Sequence, residues 1–317
     1  MNILHYTGKG ALSALRSWKG IILSWLITFL FISIVAFPAR SGFKSMLGDS
    51  MVTELLRDTI NFDVITDHLS AFGNLFSALR TGFILLIFLG FFINAFITGG
   101  LFAILSNTVK SKSAGSFFAG AGSNFWSVTV ITLIMSVIFS VVSVIIFAAP
   151  FIAGSGGDQG GLFPAVDRNL MRISFIVIVF ILPVVLLVSD YARAWQVIRP
   201  EKKPFSAIGF GFGITFRTLR SSYPMMFILV LVQALFVWFT ASKLLYAKPS
   251  TGWSVFLFFV LSQLVFIFRL WLRAWRYGSV TAAMEAFIEM NVNPVPEPVY
   301  YAEHNTSEQE NKVTDLS

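Results

Sequence analysis

The charged residues of this chain that could do chemistry stand close to the ends of long apolar segments. Asp190 follows one such segment, and Arg193 comes three residues later on the same face of a predicted helix. Arg269, Arg273 and Arg276 recur at helical spacing near the end of the last apolar segment, and we call them the arginine stripe. Ionised groups near membrane depth are costly unless they are paired, so these five residues mark a candidate site.

Two interpretations of these charges follow from their chemistry. Counted from the far ends of their predicted helices at about 1.5 Å per residue, Asp190 and Arg269 lie at nearly the same depth, so they can form a structural ion pair. The other arginine side chains then extend toward lipid phosphates at the membrane surface. Alternatively, Asp190, Arg193 and the arginine stripe form a site that faces the cytoplasm and binds an anion or a phospholipid headgroup.

Three amide side chains, Asn94, Gln233 and Gln263, lie deeper within apolar segments. Uncharged amides usually hydrogen-bond one membrane helix to another, and less often they line a substrate path. Pro183 interrupts the fourth apolar segment and predicts a kink there. The predicted spans place no Asp or Glu at mid-membrane, which weakens the hypothesis of proton-coupled or sodium-coupled transport without excluding it.

The sequence offers no pattern that is typical of an enzyme or a metal centre. It contains no cysteine, which excludes disulfides, thiol catalysis and cysteine-based zinc sites. His5, His68 and His304 lie in separate segments outside any H-E-x-x-H pattern, and there is no G-x-S-x-G element. The Gly-rich residues 154–161 lack the preceding strand and the following Lys of a phosphate-binding loop, so they indicate a linker. We therefore expect no catalytic residue, no metal and no cofactor.

The elements that must position these residues are membrane-spanning helices. Hydrophobic residues make up 56% of the chain and charged residues only 12%, too few charges for a soluble domain of this size. The apolar runs are long enough to cross a hydrocarbon core of roughly 30 Å as helices. Backbone groups in lipid must pair internally, which excludes isolated strands. The sequence predicts an all-α membrane protein with six transmembrane helices, at about residues 21–38, 81–105, 127–151, 173–189, 223–241 and 254–271.

The positions of the basic residues predict how these helices are oriented. The net charge of +7 comes mainly from Lys and Arg beside the ends of apolar runs, which indicates membrane topology and not nucleic-acid binding. With the N-terminus inside, the cytoplasmic side carries roughly twice as many basic residues as the other side. We therefore expect both termini to lie in the cytoplasm.

The remaining segments lie outside the predicted spans. Residues 1–290 form the membrane domain, and residues 291–317 form an acidic cytoplasmic tail whose Pro and Glu content predicts disorder. The outer loop at residues 39–80 contains apolar residues at helical spacing, among them Met51 and Leu55. This loop is either a cap over the helix bundle or a docking surface for a protein partner.

Three segments on the predicted cytoplasmic side share an amphipathic stretch of small residues that leads directly into a helix: residues 8–19, 114–126 and 205–217. One constant offset superimposes Gly120 on Gly211 and Gly122 on Gly213. The same offset lays the second helix over the fourth and the third over the fifth, which predicts amphipathic interfacial helices and a parallel helix-pair repeat. Alternatively, the glycines only let helix backbones approach closely.

Several short motifs stand at the ends of the predicted helices: Gly99-Gly100-Leu101-Phe102, Phe117-Phe118-Ala119-Gly120 and Asp190-Tyr191-Ala192-Arg193. With these motifs and its long outer loop, the chain resembles a group of bacterial six-helix membrane proteins. That group is distantly like the membrane domain that accompanies some glycerophosphodiester phosphodiesterases. The resemblance implies a fold and a place in the bacterial cytoplasmic membrane. It implies no activity, because the sequence carries no phosphodiesterase catalytic domain.

These observations predict a non-enzymatic membrane protein that acts through contacts with membrane lipids or with a protein partner. The contact surfaces are then the loop at residues 39–80 and the arginine stripe. The alternative is a transporter or permease-like protein that moves a small or lipid-like substrate between the helix repeats, along a path lined by Asn94, Gln233 or Gln263. An enzyme acting on lipid is disfavoured, because the sequence offers no recognisable set of acid, base and nucleophile.

Overall fold

The computed structural model describes residues 3–47, 69–106, 112–154, 168–199, 203–246 and 251–291, and the regular structure within these ranges is helical. The helices are α1 Ile3–Arg16, α2 Trp18–Leu47, α3 Leu69–Leu105, α4 Ala114–Gly154, α5 Arg168–Ile198, α6 Pro204–Tyr246 and α7 Gly252–Asn291. Helices α3 to α7 are each long and apolar enough to cross a membrane. The described residues therefore form the helices of a multi-pass membrane protein, as the composition of the chain predicts.

The first two helices form a bent pair. Their axes differ by 67° across a break between Arg16 and Trp18, and only together do they meet the length and composition of a span. Gly10 and Ala14 are buried, while Leu12 and Leu15 are exposed, so α1 buries one face only. The described residues thus contain five spans, or six if the bent pair is counted, where the sequence predicted six.

The helices are longer than the apolar segments that predicted them. Helix α4 has 41 residues, α6 has 43 and α7 has 40, whereas about 20 residues suffice to cross the hydrocarbon core. Residues 114–126 and 205–217, predicted as interfacial helices, are the first turns of α4 and α6, and only residues 8–19 overlap a separate helix, α1. These boundaries were wrong because a helix continues through small and polar residues wherever neighbouring helices pack on it.

Some of the predictions concern residues outside the described ranges. Helix α2 continues to Leu47 and α3 begins at Leu69, so both ends of the predicted loop at 39–80 are helical. Residues 48–68, with the predicted cap or docking surface, lie outside the described residues. The same holds for residues 155–167, with most of the Gly-rich linker, and for residues 292–317, with the acidic tail.

The buried core lies at one end of the bundle, which we call the α1 end. Helices α3, α5 and α7 finish there, and α4 and α6 begin there. Phe102, Phe117, Tyr191 and Tyr277 are among its largest fully buried side chains. Toward the other end the apolar side chains are exposed, and Trp238 leaves 70% of its surface open. Exposed apolar surface on this scale requires lipid around it.

Helices α3 and α4 pack closely where a glycine replaces a side chain. A Cβ built on Gly120 of α4 would collide with the Cβ of Ala103 and would lie 3.8 Å from the carbonyl oxygen of Gly99, both on α3. The two contacted residues are one helical turn apart. A Cβ on Gly122, half a turn away on α4, would meet nothing within 4 Å.

Helices α5 and α6 pack in a similar way. A Cβ on Gly211 of α6 would lie 2.7 Å from the carbonyl oxygen of Val188 and 3.1 Å from the Cβ of Ala192, again one turn apart on the partner helix. A Cβ on Gly213 would meet nothing within 4 Å. The two glycines therefore have similar surroundings. The residues that they contact on α3 and α5 are 89 positions apart, however, and not the 91 positions that separate the glycines.

Helix α1 docks onto the last part of α7. A Cβ on Gly278 of α7 would lie 2.9 Å from the carbonyl oxygen of Gly10, so the two backbones touch. The indole Nε1 of Trp275 donates a hydrogen bond to the carbonyl oxygen of Thr7 at 2.8 Å. The predicted sixth span ended at residue 271, which left out the part of α7 that holds α1.

Candidate functional site

Asp190 is the centre of a charged cluster inside the α1 end. Its Oδ1 accepts a hydrogen bond at 3.1 Å from Nη1 of Arg193, one turn further along α5. Its Oδ2 lies 3.1 Å from Nε of Arg276 on α7, although the N–H does not point at this oxygen and the contact is an ion pair without an aligned hydrogen bond. Asp190 is fully buried, and Arg193 and Arg276 are 8% and 9% exposed. Asp190 therefore joins α5 to α7.

The predicted pairing of Asp190 with Arg269 is wrong, since the partner on α7 is Arg276. Arg269 stands two turns earlier on α7 and is exposed. The depth estimate used helix ends taken from hydropathy, whereas α5 begins at Arg168 and not at residue 173. Asp190 is therefore further along its helix than estimated, at a level that Arg276 reaches and Arg269 does not.

Arg273 joins α7 to α3. Its Nη2 donates hydrogen bonds of 2.7 Å to Oδ1 of Asn94 and of 2.7 Å to Oγ1 of Thr98. The Thr98 hydroxyl donates to the backbone carbonyl oxygen of Asn94 at 2.6 Å, so the hydroxyl oxygen of Thr98 is left to accept from the guanidinium. Nε of Arg273 donates to the Tyr277 hydroxyl at 2.7 Å. Asn94, which the sequence predicted to line a path or to pack helices, thus accepts a hydrogen bond from an arginine.

Tyr277 connects the two arginines of α7. The guanidinium carbons of Arg273 and Arg276 lie 5.3 Å and 5.1 Å from the centre of its ring. The ring also stacks on Phe102 of α3, with centroids 4.5 Å apart. Two cations this close to the ring stabilise it by cation–π attraction, which is stronger where water is excluded.

Arg193 brings a fourth helix into the cluster. Its Nη2 donates a hydrogen bond of 3.1 Å to Oγ1 of Thr132 on α4. The Thr132 hydroxyl donates in turn to the Val128 carbonyl oxygen at 2.7 Å, so it too is fixed as an acceptor. Side chains of α3, α4, α5 and α7 therefore meet around the charges, and we call Asp190, Arg193, Arg273 and Arg276 the arginine cluster.

The arginine cluster carries more positive than negative charge. Three guanidinium groups face one carboxylate, which leaves a formal excess of two positive charges in a largely buried place. Arg193 Nε and Gln196 Nε2 are buried donors without a hydrogen-bond partner among the described residues, and Gln196 stands one turn beyond Arg193. A planar guanidinium matches the oxygens of a phosphate or carboxylate, so the site carries donors of the kind that suit an anion.

The other two amides lie outside this cluster and join helices. Nε2 of Gln233 on α6 donates to the carbonyl oxygen of Leu272 on α7 at 3.0 Å. Oε1 of Gln263 on α7 accepts a hydrogen bond of 3.1 Å from Nε1 of Trp25 on α2. Both contacts favour the packing interpretation of these amides. The structure thus brings Asn94 together with the arginine cluster and leaves Gln233, Gln263 and Arg269 apart from it.

Several members of the site were missed by the sequence analysis. Tyr277 directly follows Arg276, and a buried aromatic ring beside an arginine is a recognisable signal for cation–π contact. Thr98 stands one turn after Asn94 and was detectable as part of a polar face. No sequence pattern indicated Thr132, because its role depends on which face of α4 meets α5.

Among the residues that the structure describes, no group of three His, Asp or Glu side chains is close enough to hold a metal ion. Comparisons of the chain with protein-family models, with curated proteins and with solved structures find no match. The resemblance to the membrane domains that accompany some glycerophosphodiester phosphodiesterases therefore stays a prediction.

Proposed function

We propose that this chain is a non-enzymatic integral membrane protein of a bacterial cytoplasmic membrane that acts by binding the anionic group of a lipid at its α1 end. The excess of positive charge in the arginine cluster is the observation that supports this function. Charge that is removed from water without a counter-charge costs several kcal/mol. An anion bound at the cluster supplies that counter-charge, so it stabilises the folded protein.

The last turns of α5 carry further unpartnered donors beyond the cluster. Arg193, Gln196 and Arg199 follow one another at one-turn spacing, and each has a buried side-chain nitrogen with no hydrogen-bond partner among the described residues. Arg199 lies just beyond the end of α5, with its guanidinium 4.9 Å from the centre of the Trp195 ring. These donors extend the set that is available to an anion at the α1 end.

Anion-dependent stability tests this proposal. We expect the thermal unfolding midpoint of the full-length protein in neutral detergent to rise on addition of inorganic phosphate or of phosphatidylglycerol. Saturation at about 100 times the dissociation constant corresponds to roughly 2.7 kcal/mol of stabilisation. Arg193→Gln removes one guanidinium and its donors, so this variant loses most of the rise.

The matched control is Arg269→Gln, which removes an exposed arginine of α7 outside the cluster. It keeps the full response to phosphate and to phosphatidylglycerol. A wild-type protein that is indifferent to both anions refutes the proposal, and so does an Arg193→Gln variant that responds like the wild type.

The alternative function is transport between two helix-pair repeats. The corresponding surroundings of Gly120 and Gly211 favour a repeat in which the α3–α4 and α5–α6 pairs are two copies of one unit. The hydrogen bonds of Gln233 and Gln263 to neighbouring helices speak against a path at those residues. Uptake of labelled phosphate into vesicles that contain the purified protein, compared with empty vesicles, distinguishes the two functions, because a lipid-binding protein gives no uptake.

A further inference from the structure

An open groove of about 670 Å³ lies along α5 and α6, apart from the residues of the arginine cluster. Two residues of α5, Phe180 and Val184, form one side. The other side belongs to α6 and consists of Phe216, Arg217, Leu219, Arg220, Tyr223 and Pro224. We call this feature the α5–α6 groove.

The α5–α6 groove is cationic at one end and aromatic at the other. Arg217 and Arg220 are exposed and stand one turn apart on α6. Tyr223 and Phe227 follow on the same side, one turn further each, so that Arg217 and Phe227 are separated by roughly 15 Å at about 1.5 Å per residue. This length is about half of a hydrocarbon core of roughly 30 Å, which is the depth of one leaflet. The arginines stand toward the α1 end.

The aromatic end is built from both helices. The Tyr223 hydroxyl donates a hydrogen bond of 3.2 Å to the Phe180 carbonyl oxygen across the helix pair. The Phe227 ring stacks on the rings of Phe180 and Tyr223, with centroids 5.6 Å and 6.0 Å apart. Pro183 leaves the carbonyl oxygen of Val179 without its helical donor, and the Tyr223 hydroxyl donates to the next carbonyl oxygen of the same turn, that of Phe180. The wall is therefore held in place by specific contacts.

The two arginines of the α5–α6 groove have no acidic partner in the part of the chain that the structure describes. The acidic residues within those ranges are Asp190, which is bound to Arg193 and Arg276, and Glu285 and Glu289 near the end of α7. Within these ranges the two exposed guanidinium groups are therefore free to bind an anion from outside the chain. Anionic lipid headgroups at a membrane surface attract basic side chains of this kind.

We propose that the α5–α6 groove binds one anionic phospholipid from the leaflet on the α1 side. Its phosphate lies between Arg217 and Arg220, and an acyl chain follows Val184, Phe180 and Tyr223. Free phosphate accounts for the arginines alone, whereas Phe180 is 53% exposed beside them and requires an apolar partner. The inference rests on the proposed function for the place of the chain in a lipid membrane, and it adds a lipid class and a second site.

Native mass spectrometry of the full-length protein tests the groove. The detergent-purified protein is mixed with equal amounts of phosphatidylglycerol and phosphatidylcholine that have identical acyl chains. We expect the wild type to retain phosphatidylglycerol preferentially. The double variant Arg217→Gln/Arg220→Gln loses about 25-fold in affinity for it, because each basic residue at an anionic membrane surface contributes roughly fivefold.

The matched control is the double variant Arg168→Gln/Arg172→Gln, which removes two exposed arginines from the start of α5, at the other end of the same helix pair. It keeps the preference of the wild type. A groove variant that retains phosphatidylglycerol as the wild type does overturns the proposal. Equal retention of the two lipids by the wild type overturns it as well, and so does complete displacement of phosphatidylglycerol by inorganic phosphate.

A second variant, Val184→Trp, fills the groove and keeps both arginines. It reduces the retention of phosphatidylglycerol, and an unchanged retention counts against the proposal even if the double arginine variant fails to fold. Arg193→Gln separates the groove from the arginine cluster, because it removes most of the stabilisation by inorganic phosphate and leaves the retention of phosphatidylglycerol in the groove as in the wild type. Failure of the proposed function and failure of this inference therefore give different results.

Discussion

At the scale of single residues, Asp190 is the buried carboxylate that pairs with two arginines of the described bundle. It is fully buried and supplies the one carboxylate for Arg193 and Arg276. Asp190→Asn keeps the shape of the side chain and leaves the buried guanidinium groups without a counter-charge. We expect the free energy of unfolding in detergent to fall by about 3–5 kcal/mol. Glu289→Gln, at an exposed position on the same end, changes it by less than about 0.5 kcal/mol.

A loss of less than about 1 kcal/mol in Asp190→Asn, close to an ordinary surface substitution, contradicts the role given to this residue. It would mean that the arginines already hold another anion.

Lys112, which lies where α1 docks, is expected to make the stability of the protein depend on pH. Its Nζ donates to the Ser13 hydroxyl at 3.0 Å, and burial followed by the charge of Arg16 lowers its pKa below 10.5, with Glu285 acting in the opposite direction. The folded state therefore binds this proton less tightly than the unfolded state does. Between the lowered pKa and 10.5 the unfolded state binds more protons at Lys112, so the free energy of unfolding rises as the pH increases through this window. Alkaline unfolding titrations of the wild type and Lys112→Gln measure this difference, and parallel curves refute it.

The chemistry of the site was easier to predict from the sequence than its pairings. Asp190, Arg273 and Arg276 were found because charged residues close to apolar segments need partners. The partner of Asp190 was misassigned to Arg269, because one turn of error in a helix end moves a side chain by about 5 Å. The acceptor role of Thr132 depends on tertiary packing alone, and no local pattern encodes it.

At the scale of helices, close packing at two glycines is a testable feature of both helix pairs. We expect Gly120→Ala and Gly211→Ala to destabilise the protein by about 1–3 kcal/mol, since each new methyl group meets the partner helix. Gly122→Ala and Gly213→Ala are the controls, with open space at the same atom. They are neutral or stabilising by up to about 1 kcal/mol, because alanine favours a helix over glycine.

Thermal unfolding of the four variants in one detergent makes the comparison. If all four variants change stability alike, helix propensity and not packing decides the outcome. That result contradicts the role of Gly120 and Gly211 in close helix packing. A large effect at one of these two glycines alone means that the two helix pairs are packed by different contacts, which counts against a repeat.

Hydropathy located the helices and did not reveal where they end. The apolar runs end near residues 105, 189 and 271, yet α5 and α7 continue to Ile198 and Asn291. Those extra turns hold much of the buried core of the α1 end, where helices pack on protein and not on lipid. In such turns small and polar residues such as Gly278 and Ser279 are favoured, because they allow close approach, and a hydropathy scale cannot recognise them.

At the scale of the whole molecule, the two ends of the bundle differ in what covers them. Helix α4 with 41 residues is about 60 Å long, twice the thickness of a hydrocarbon core of roughly 30 Å. At the α1 end the helices bury one another, while toward the other end exposed apolar side chains need lipid. The arginine cluster lies on the protein-covered side of this division, and the α5–α6 groove opens toward lipid.

The orientation of this asymmetric bundle is the last prediction. The chain contains no cysteine, so a single introduced cysteine gives an unambiguous label. Gly8→Cys in α1 and Lys203→Cys before α6 are at exposed positions of the α1 end, and Gly252→Cys is at an exposed position of the opposite end. Because basic residues stay in the cytoplasm, we expect a membrane-impermeant maleimide to label only Gly252→Cys in intact cells.

Permeabilised cells provide the control, because all three cysteines must react once the reagent can enter. Reaction of Gly8→Cys and Lys203→Cys in intact cells, with Gly252→Cys protected, inverts the orientation and puts the arginine cluster on the outer side. Reaction of Gly8→Cys without Lys203→Cys means that α1 and the start of α6 lie on opposite sides of the membrane. That result is incompatible with the docking of α1 beside the end of α3, where the Ser13 hydroxyl donates to the Leu105 carbonyl oxygen at 3.3 Å.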